Sequence, residues 1–270
     1  MKCAVTVSLV PEAKGGPFVY WDDLPTAFAK AAKLKFDAIE IFPPSTDAVP
    51  QDLIKSLMNQ HNLKVASMGT GGGWVKHKLS LTSNDDQIRN SAREFVRSII
   101  TAAGAVGAPT VIGSMQGRWG DGVDREAAML RLIDALSDLG KYAERFGVPL
   151  FYEPLNRYET NMCCTLADGV ALLEKLSTTN VKLLADLYHM NIEEADLAVS
   201  IRAAGSAIGH VHLADSNRRP AGGGHTDFAK IAAALRDINY QGYVSAECFA
   251  WPDPDSAAET TRRAVTKYFE

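Results

Sequence analysis

The chain has 270 residues, 46% of them hydrophobic and 22% charged, with a formal net charge of −4. This length and balance suit one barrel-sized globular domain better than two ordinary ones. The acidic balance argues against the basic face that nucleic-acid binding needs, and no apolar run reaches the ~18 residues of a membrane span.

From the N-terminus, Met1 to Val7 reads as a first strand rather than a signal peptide. No small-residue cleavage site follows, and Pro11 and Glu12 interrupt the apolar run early. Apolar, β-branched runs then recur along the chain. With the first, they predict strands at 3–8, 38–42, 64–68, 110–113, 150–153, 181–185, 209–213 and 243–246. Most are apolar throughout, as parallel strands buried on both faces require. Amphipathic stretches at 24–34, 50–61, 85–106, 125–146, 166–176, 197–204, 228–238 and 256–269 predict the intervening helices. Ser83 ahead of Asp85 and Asp86 suggests an N-cap with an acidic first turn, Thr226 or Asp227 caps the seventh helix, and Gly107 and Gly147 suggest helix C-termini. Eight βα units predict a single (β/α)8 barrel domain spanning 1–270. No GxGxxG follows the first strand, which weakens an open nucleotide-binding sheet. Gly-rich segments at 69–73, 113–122 and 222–224 follow strands and are read as loops on the catalytic face.

The four cysteines, at 3, 163, 164 and 248, include no CxxC spacing, and the adjacent pair Cys163 and Cys164 is poorly placed for a mutual disulfide. A reducing, cytoplasmic setting is expected.

Polar residues close four successive strands: Glu153, Asp186, His212 and Glu247, each about one βα unit, roughly 30 residues, from the next. A carboxylate ending one buried strand could be a salt-bridged core residue or a helix N-cap. Four in phase with the fold would converge at one end of the barrel axis, on a site expected at the rim. Three crowded carboxylates repel unless a cation or proton neutralises them. Three oxygens and one imidazole suit one divalent ion, Mn²⁺ first, with Mg²⁺ or Co²⁺ as alternatives. Without cysteine ligands, structural zinc is disfavoured.

Four blocks resemble the sugar isomerase/epimerase family: Glu153-Pro154-Leu155-Asn156-Arg157-Tyr158-Glu159, Asp186-Leu187-Tyr188-His189, His210-Val211-His212, and Asp215-Ser216-Asn217-Arg218-Arg219. The resemblance is greatest to ketose 3-epimerases of the D-tagatose/D-psicose type. It implies a xylose-isomerase-like barrel in which Glu153 and Glu247 both bind the metal and act as catalytic acid/base groups. Asp186 and His212 would complete the metal site, and His189, Arg218 and Glu159 would contact substrate. The expected partner is a small sugar or sugar phosphate, and the chain is expected to form a homo-oligomer. Pro154 departs from the aliphatic residue usual at that position, and the first two strand ends, around Ser8 and from Glu40 to Pro44, do not match the family's substrate-contact pattern. An ion on adjacent ketose oxygens would acidify the neighbouring C–H while two glutamates move protons on opposite faces.

Rival readings on the same barrel are a hydroxypyruvate isomerase-like aldose–ketose isomerase and an inosose dehydratase-like lyase. An apurinic endonuclease-type hydrolase would need a multi-zinc cluster, and six histidines are few for it. A sugar-binding protein would not need the metal quartet. Trp74, Trp119 and Trp251 are expected in loops on the catalytic side, where core packing and sugar stacking compete as roles. His210 is expected beneath the site or in the core, His225 near the start of the seventh helix, and His61 and His77 without a functional role.

Overall fold

The computed structural model describes residues 1–120 and 122–270. Eight parallel strands close in sequence order into a barrel: β1 (Lys2–Ser8), β2 (Ala38–Phe42), β3 (Lys64–Gly69), β4 (Thr110–Ile112), β5 (Leu150–Tyr152), β6 (Val181–Asp186), β7 (Ile208–Leu213) and β8 (Tyr243–Ala246). β8 pairs with β1 through Lys2 to Val5, which seals the sheet. Helices α1 (Leu24–Lys33), α2 (Gln51–His61), α3 (Gly71–His77), α4 (Asp86–Gly104) and α5 (Arg125–Glu144) belong to the first half. The second half supplies α6 (Leu166–Leu173), α7 (Leu187–Glu193), α8 (Leu197–Ala204), α9 (Phe228–Asp237) and α10 (Pro254–Tyr268).

The two-residue period of the strands sorts their side chains into two environments. Val5, Val7, Ile39, Ile41, Val211 and Leu213 face outward into one continuous apolar layer against the helices. The alternate residues line the barrel interior. At its bottom sit Ala4, Ala38 and Ala66. Higher up, Val111, Phe151 and Leu184 pack together. Barrel interiors are ordinarily filled by bulky branched apolar side chains. Here the next inward positions are Glu40, Glu153, Asp186, His210, His212 and Glu247, all buried.

The predicted strands and principal helices match the observed ones to within a few residues. Two short helices differ from the expectation. The segment 69–73, read as a loop, begins α3, and α7 starts directly at the end of β6. Both have seven residues, too few for a 3.6-residue period to emerge from the sequence. Asp85, not Ser83, is the α4 N-cap: its carboxylate accepts from Gln87 N at 2.7 Å, while Ser83 Oγ accepts from Asp85 N one step earlier. Asp227 rather than Thr226 caps α9. Gly107 and Gly147 take left-handed φ values of 71° and 69°, as a helix C-terminal turn requires.

Candidate metal centre and cleft

Glu153, Asp186, His212 and Glu247 meet at the C-terminal end of the barrel. One potential ligand atom from each lies within 4.8 Å of all the others. His212 Nδ1 stands at the middle, 3.5 Å from Glu153 Oε1, 3.5 Å from Asp186 Oδ2 and 3.4 Å from Glu247 Oε2. Among the described residues, His212 Nδ1 and Asp186 Oδ2 are buried without a hydrogen-bond partner. Two orphaned, buried ligand atoms facing each other, flanked by two more carboxylates, are what a divalent cation would satisfy. The donor set therefore fits the expected ion. The expectation of a rim site needs correction: His212 is fully buried, because inward positions on β7 lie below the loops.

Asp186 is the α7 N-cap and also turns one oxygen to the cluster. Its Oδ1 caps α7 by accepting from Tyr188 N at 2.7 Å and His189 N at 3.0 Å, while Oδ2 faces the cluster. Gly113 shapes the site from the side. A Cβ at this position would overlap Glu153 Oε2, so only glycine leaves the carboxylate its place. Gln116 steadies the strand beneath, donating to Glu153 O at 3.0 Å and accepting from Tyr152 OH at 2.6 Å.

Burial and neighbouring charge pull the ionisable groups of the cluster in opposite directions. Burial pushes the Glu153 carboxyl up despite the His212 imidazole beside it. Burial alone would lower the His212 imidazole. The charges of Glu247 and Glu40 and the nearby carboxylates of Asp186 and Glu153 outweigh it and push His212 well above the usual histidine range. For Asp186, burial is outweighed by His189, His212 and Arg218, which hold the carboxyl below the usual range.

A cleft of about 950 Å³ opens above the cluster. Its lining includes Glu153, Glu247, His189, Arg218 and Glu159, joined by Ser8, Phe42, Trp74 and Trp119. The backbone N–H and side-chain amide of Asn156 both point at His189 Nδ1, at 3.2 and 2.7 Å. The backbone donor makes Nδ1 an acceptor, and Nε2 lies 3.5 Å from Arg218 Nη2. Arg218, in the left-handed region at φ 59°, lies over the Tyr188 ring at 4.6 Å. Its guanidinium donates to Glu159 Oε1 at 3.2 Å and Glu247 Oε2 at 3.4 Å. The carboxylate of Asp215 does not pair with it. That carboxylate accepts from Ser216 N, Gly222 N and Thr226 N, and so shapes the loop carrying Arg218. Burial would raise the Asp215 carboxyl, but these amides hold it below the usual range.

Other expectations separate cleanly. Arg157, itself exposed, forks onto Glu193 and does not line the cleft. Trp74 and Trp119 are on the cleft wall; Trp251 instead stacks under Arg219 at 4.0 Å. His225 pairs with Ser216 Oγ at 2.9 Å, and His61 and His77 sit beside Phe28 and Phe95, so none joins the cluster that a multi-zinc site would need. Sequence reasoning missed Glu40. It lies fully buried below the quartet, 3.0 Å from His212 Nε2 and 2.9 Å from His210 Nε2. A lone acid in the otherwise apolar second strand, Ala-Ile-Glu-Ile-Phe, was the available signal. Among the described residues no helix is long and apolar enough to cross a membrane.

A closed barrel with an acidic and imidazole cluster at its C-terminal mouth defines the class, and the sequence comparisons agree. Residues 28–268 match the family described as xylose isomerase-like TIM barrel, and the chain belongs to that family. Its relatives include the L-ribulose 3-epimerase of Methylomonas sp. (strain DH-1), 35% identical over 83% of this chain and 78% of that protein. Another is the D-psicose 3-epimerase of Agrobacterium fabrum, 32% identical over 88% of this chain and 80% of that one. The crystal structure of D-allulose 3-epimerase from Methylomonas sp. superposes with a TM-score of 0.84 at 28% identity, covering 99% of this chain and 98% of that one.

Proposed function

We propose that the protein is a metal-dependent ketose 3-epimerase. The observation that carries this reading is the pair of orphaned atoms, His212 Nδ1 and Asp186 Oδ2, enclosed by Glu153 and Glu247 at the floor of the cleft. The family membership and the named 3-epimerase activities of its relatives support it. In this reading Glu153, Asp186, His212 and Glu247 hold one divalent ion, Mn²⁺ first among candidates. The ion would supply a Lewis acid that polarises the ketose carbonyl and stabilises the charge that develops beside it.

The residues of the chain do the proton chemistry. Glu153 lies just beyond β5 and Glu247 just beyond β8, so the two carboxylates reach the cluster from different sides of the barrel mouth. One takes the C3 proton, and the other returns a proton to the opposite face of the same carbon, which inverts it. Arg218 presents its guanidinium to the cleft beside Glu247, with His189 Nε2 3.5 Å from its Nη2, suited to holding sugar hydroxyl and carbonyl oxygens. Glu159, tied to Arg218, offers an acceptor to a sugar hydroxyl.

The test is to load the purified protein with Mn²⁺ and incubate it separately with D-psicose, D-tagatose and L-ribulose. Appearance of the C3 epimer of at least one ketose is expected. Formation of an aldose, or of a dehydrated product, in place of the epimer would reject the 3-epimerase assignment.

A further inference from the structure

Glu40 has no part in the proton transfers above, yet it is the most thoroughly bonded carboxylate in the barrel interior. It reaches in from β2, beneath the quartet, and is fully buried together with Ser67 and His212, while His210 is only 1% exposed. Ser67 Oγ donates to its Oε1 at 2.6 Å. The same oxygen lies 3.0 Å from His212 Nε2, and Oε2 lies 2.9 Å from His210 Nε2. His210 is in turn stacked on Phe151, with ring centroids 5.4 Å apart and an interplanar angle of 11°, which fixes the second imidazole.

We propose that Glu40 is a positioning residue for the metal centre: by accepting the Nε2–H of His212, it holds that ring with its Nδ1 lone pair aimed at the ion. This rests on the metal-centre reading above and assigns that site a supporting carboxylate on the far side of the barrel. A histidine that binds a metal through one nitrogen commonly donates its other N–H to a carboxylate, and loss of such a partner typically weakens metal affinity by about 10–100-fold. The geometry fits this arrangement on both ring nitrogens. Nε2 has a partner and Nδ1 has none among the described residues, so the ring presents one satisfied edge and one open edge.

Glu40, His210 and His212 also lie close enough together to be considered as a second ion site. Partnering argues against it. Both Glu40 oxygens and both Nε2 atoms are engaged with each other or with Ser67, whereas the quartet leaves two atoms unpartnered. Protons rather than a second ion account for the contacts of Glu40.

The test is a Co²⁺ titration of the full-length protein and of Glu40→Gln, followed by visible absorption and calorimetry, with circular dichroism as the check on folding. Wild type is expected to bind one equivalent, and the folded variant one equivalent with about 10–100-fold weaker affinity. Wild-type affinity in the folded variant, even with a lowered melting temperature, would reduce Glu40 to a structural role and overturn the proposal. Two equivalents in wild type, one of them lost in the variant, would overturn it in favour of a second ion. If wild type binds no Co²⁺, the metal-centre reading itself fails, and the role of Glu40 with it. Should the variant not fold, ¹⁵N-histidine NMR of Zn²⁺-loaded wild type decides. A hydrogen-bonded proton on His212 Nε2 is expected, and its absence refutes the proposal.

Discussion

Asp186 Oδ1 accepts the backbone N–H of His189 at 3.0 Å, so the residue that faces the metal cluster also fixes the start of the helix that carries a cleft residue. The two functions use different oxygens and are therefore separable. Serine caps a helix about as well as aspartate but cannot place a second oxygen toward His212. Asp186→Ser should keep α7 and the fold while losing most metal affinity. Circular dichroism with a metal titration checks this; retained affinity would show that Oδ2 is not a ligand.

Arg218 binds Glu159 and Glu247 while its guanidinium borders the cleft. Arg218→Ala should lower kcat/KM for the true ketose by roughly 10–100-fold, the equivalent of one charged hydrogen bond of about 1.5–3 kcal/mol. Metal affinity should change much less, because the guanidinium is a neighbour of the cluster and not a ligand. Parallel kinetics and metal titration separate the two effects. Unchanged kcat/KM would remove Arg218 from substrate binding.

Metal uptake should depend on pH in a definite direction. The His212 imidazole is pushed well above its usual range and Glu153 is pushed upward, so both favour their protonated forms in the metal-free site. An incoming ion must displace these protons. Affinity should therefore rise with pH, and the rise should continue above the ordinary histidine pKa of about 6.5 until His212 is deprotonated in the free protein. Calorimetry in buffers of different ionisation enthalpy should detect proton release on binding. Flat affinity between mildly acidic and mildly alkaline pH would contradict this.

Glu153→Gln and Glu247→Gln keep size and one ligand oxygen but cannot act as bases. Each should reduce net epimerisation by ~10²–10⁴-fold while the ion stays bound, as metal analysis and turnover assays can establish together. One of the two variants can still exchange substrate hydrogen with solvent from a single face. A loss of only a few-fold, with metal retained, removes that glutamate from the mechanism.

The barrel and the quartet were legible in the sequence because both rest on periodicity. Eight apolar runs recur with helical stretches between them, and the four polar residues close strands one βα unit apart. What stayed hidden was set by tertiary contacts. Glu40 comes from β2, yet its partners are His210 and His212 on β7, some 170 residues away, a pairing no local pattern encodes. The burial of His212 likewise depends on barrel closure, so a strand-end residue read as part of the rim lies inside. Asp215, three residues before Arg218, is the nearest carboxylate along the chain. The loop's own amides saturate Asp215, leaving Arg218 to Glu247 and Glu159.

The most direct test of the central claim is the fate of substrate hydrogen. Metal-loaded protein is incubated in D₂O with the ketose it converts fastest, and the recovered sugars are analysed by NMR for the position of deuterium. Proton removal and return by Glu153 and Glu247 at one carbon predict deuterium at C3 of the epimer formed. They also predict no label at C1 and none at all once the ion is removed by a chelator. Deuterium at C1, or epimer formed without solvent label at C3 at any stage of conversion, would contradict the account.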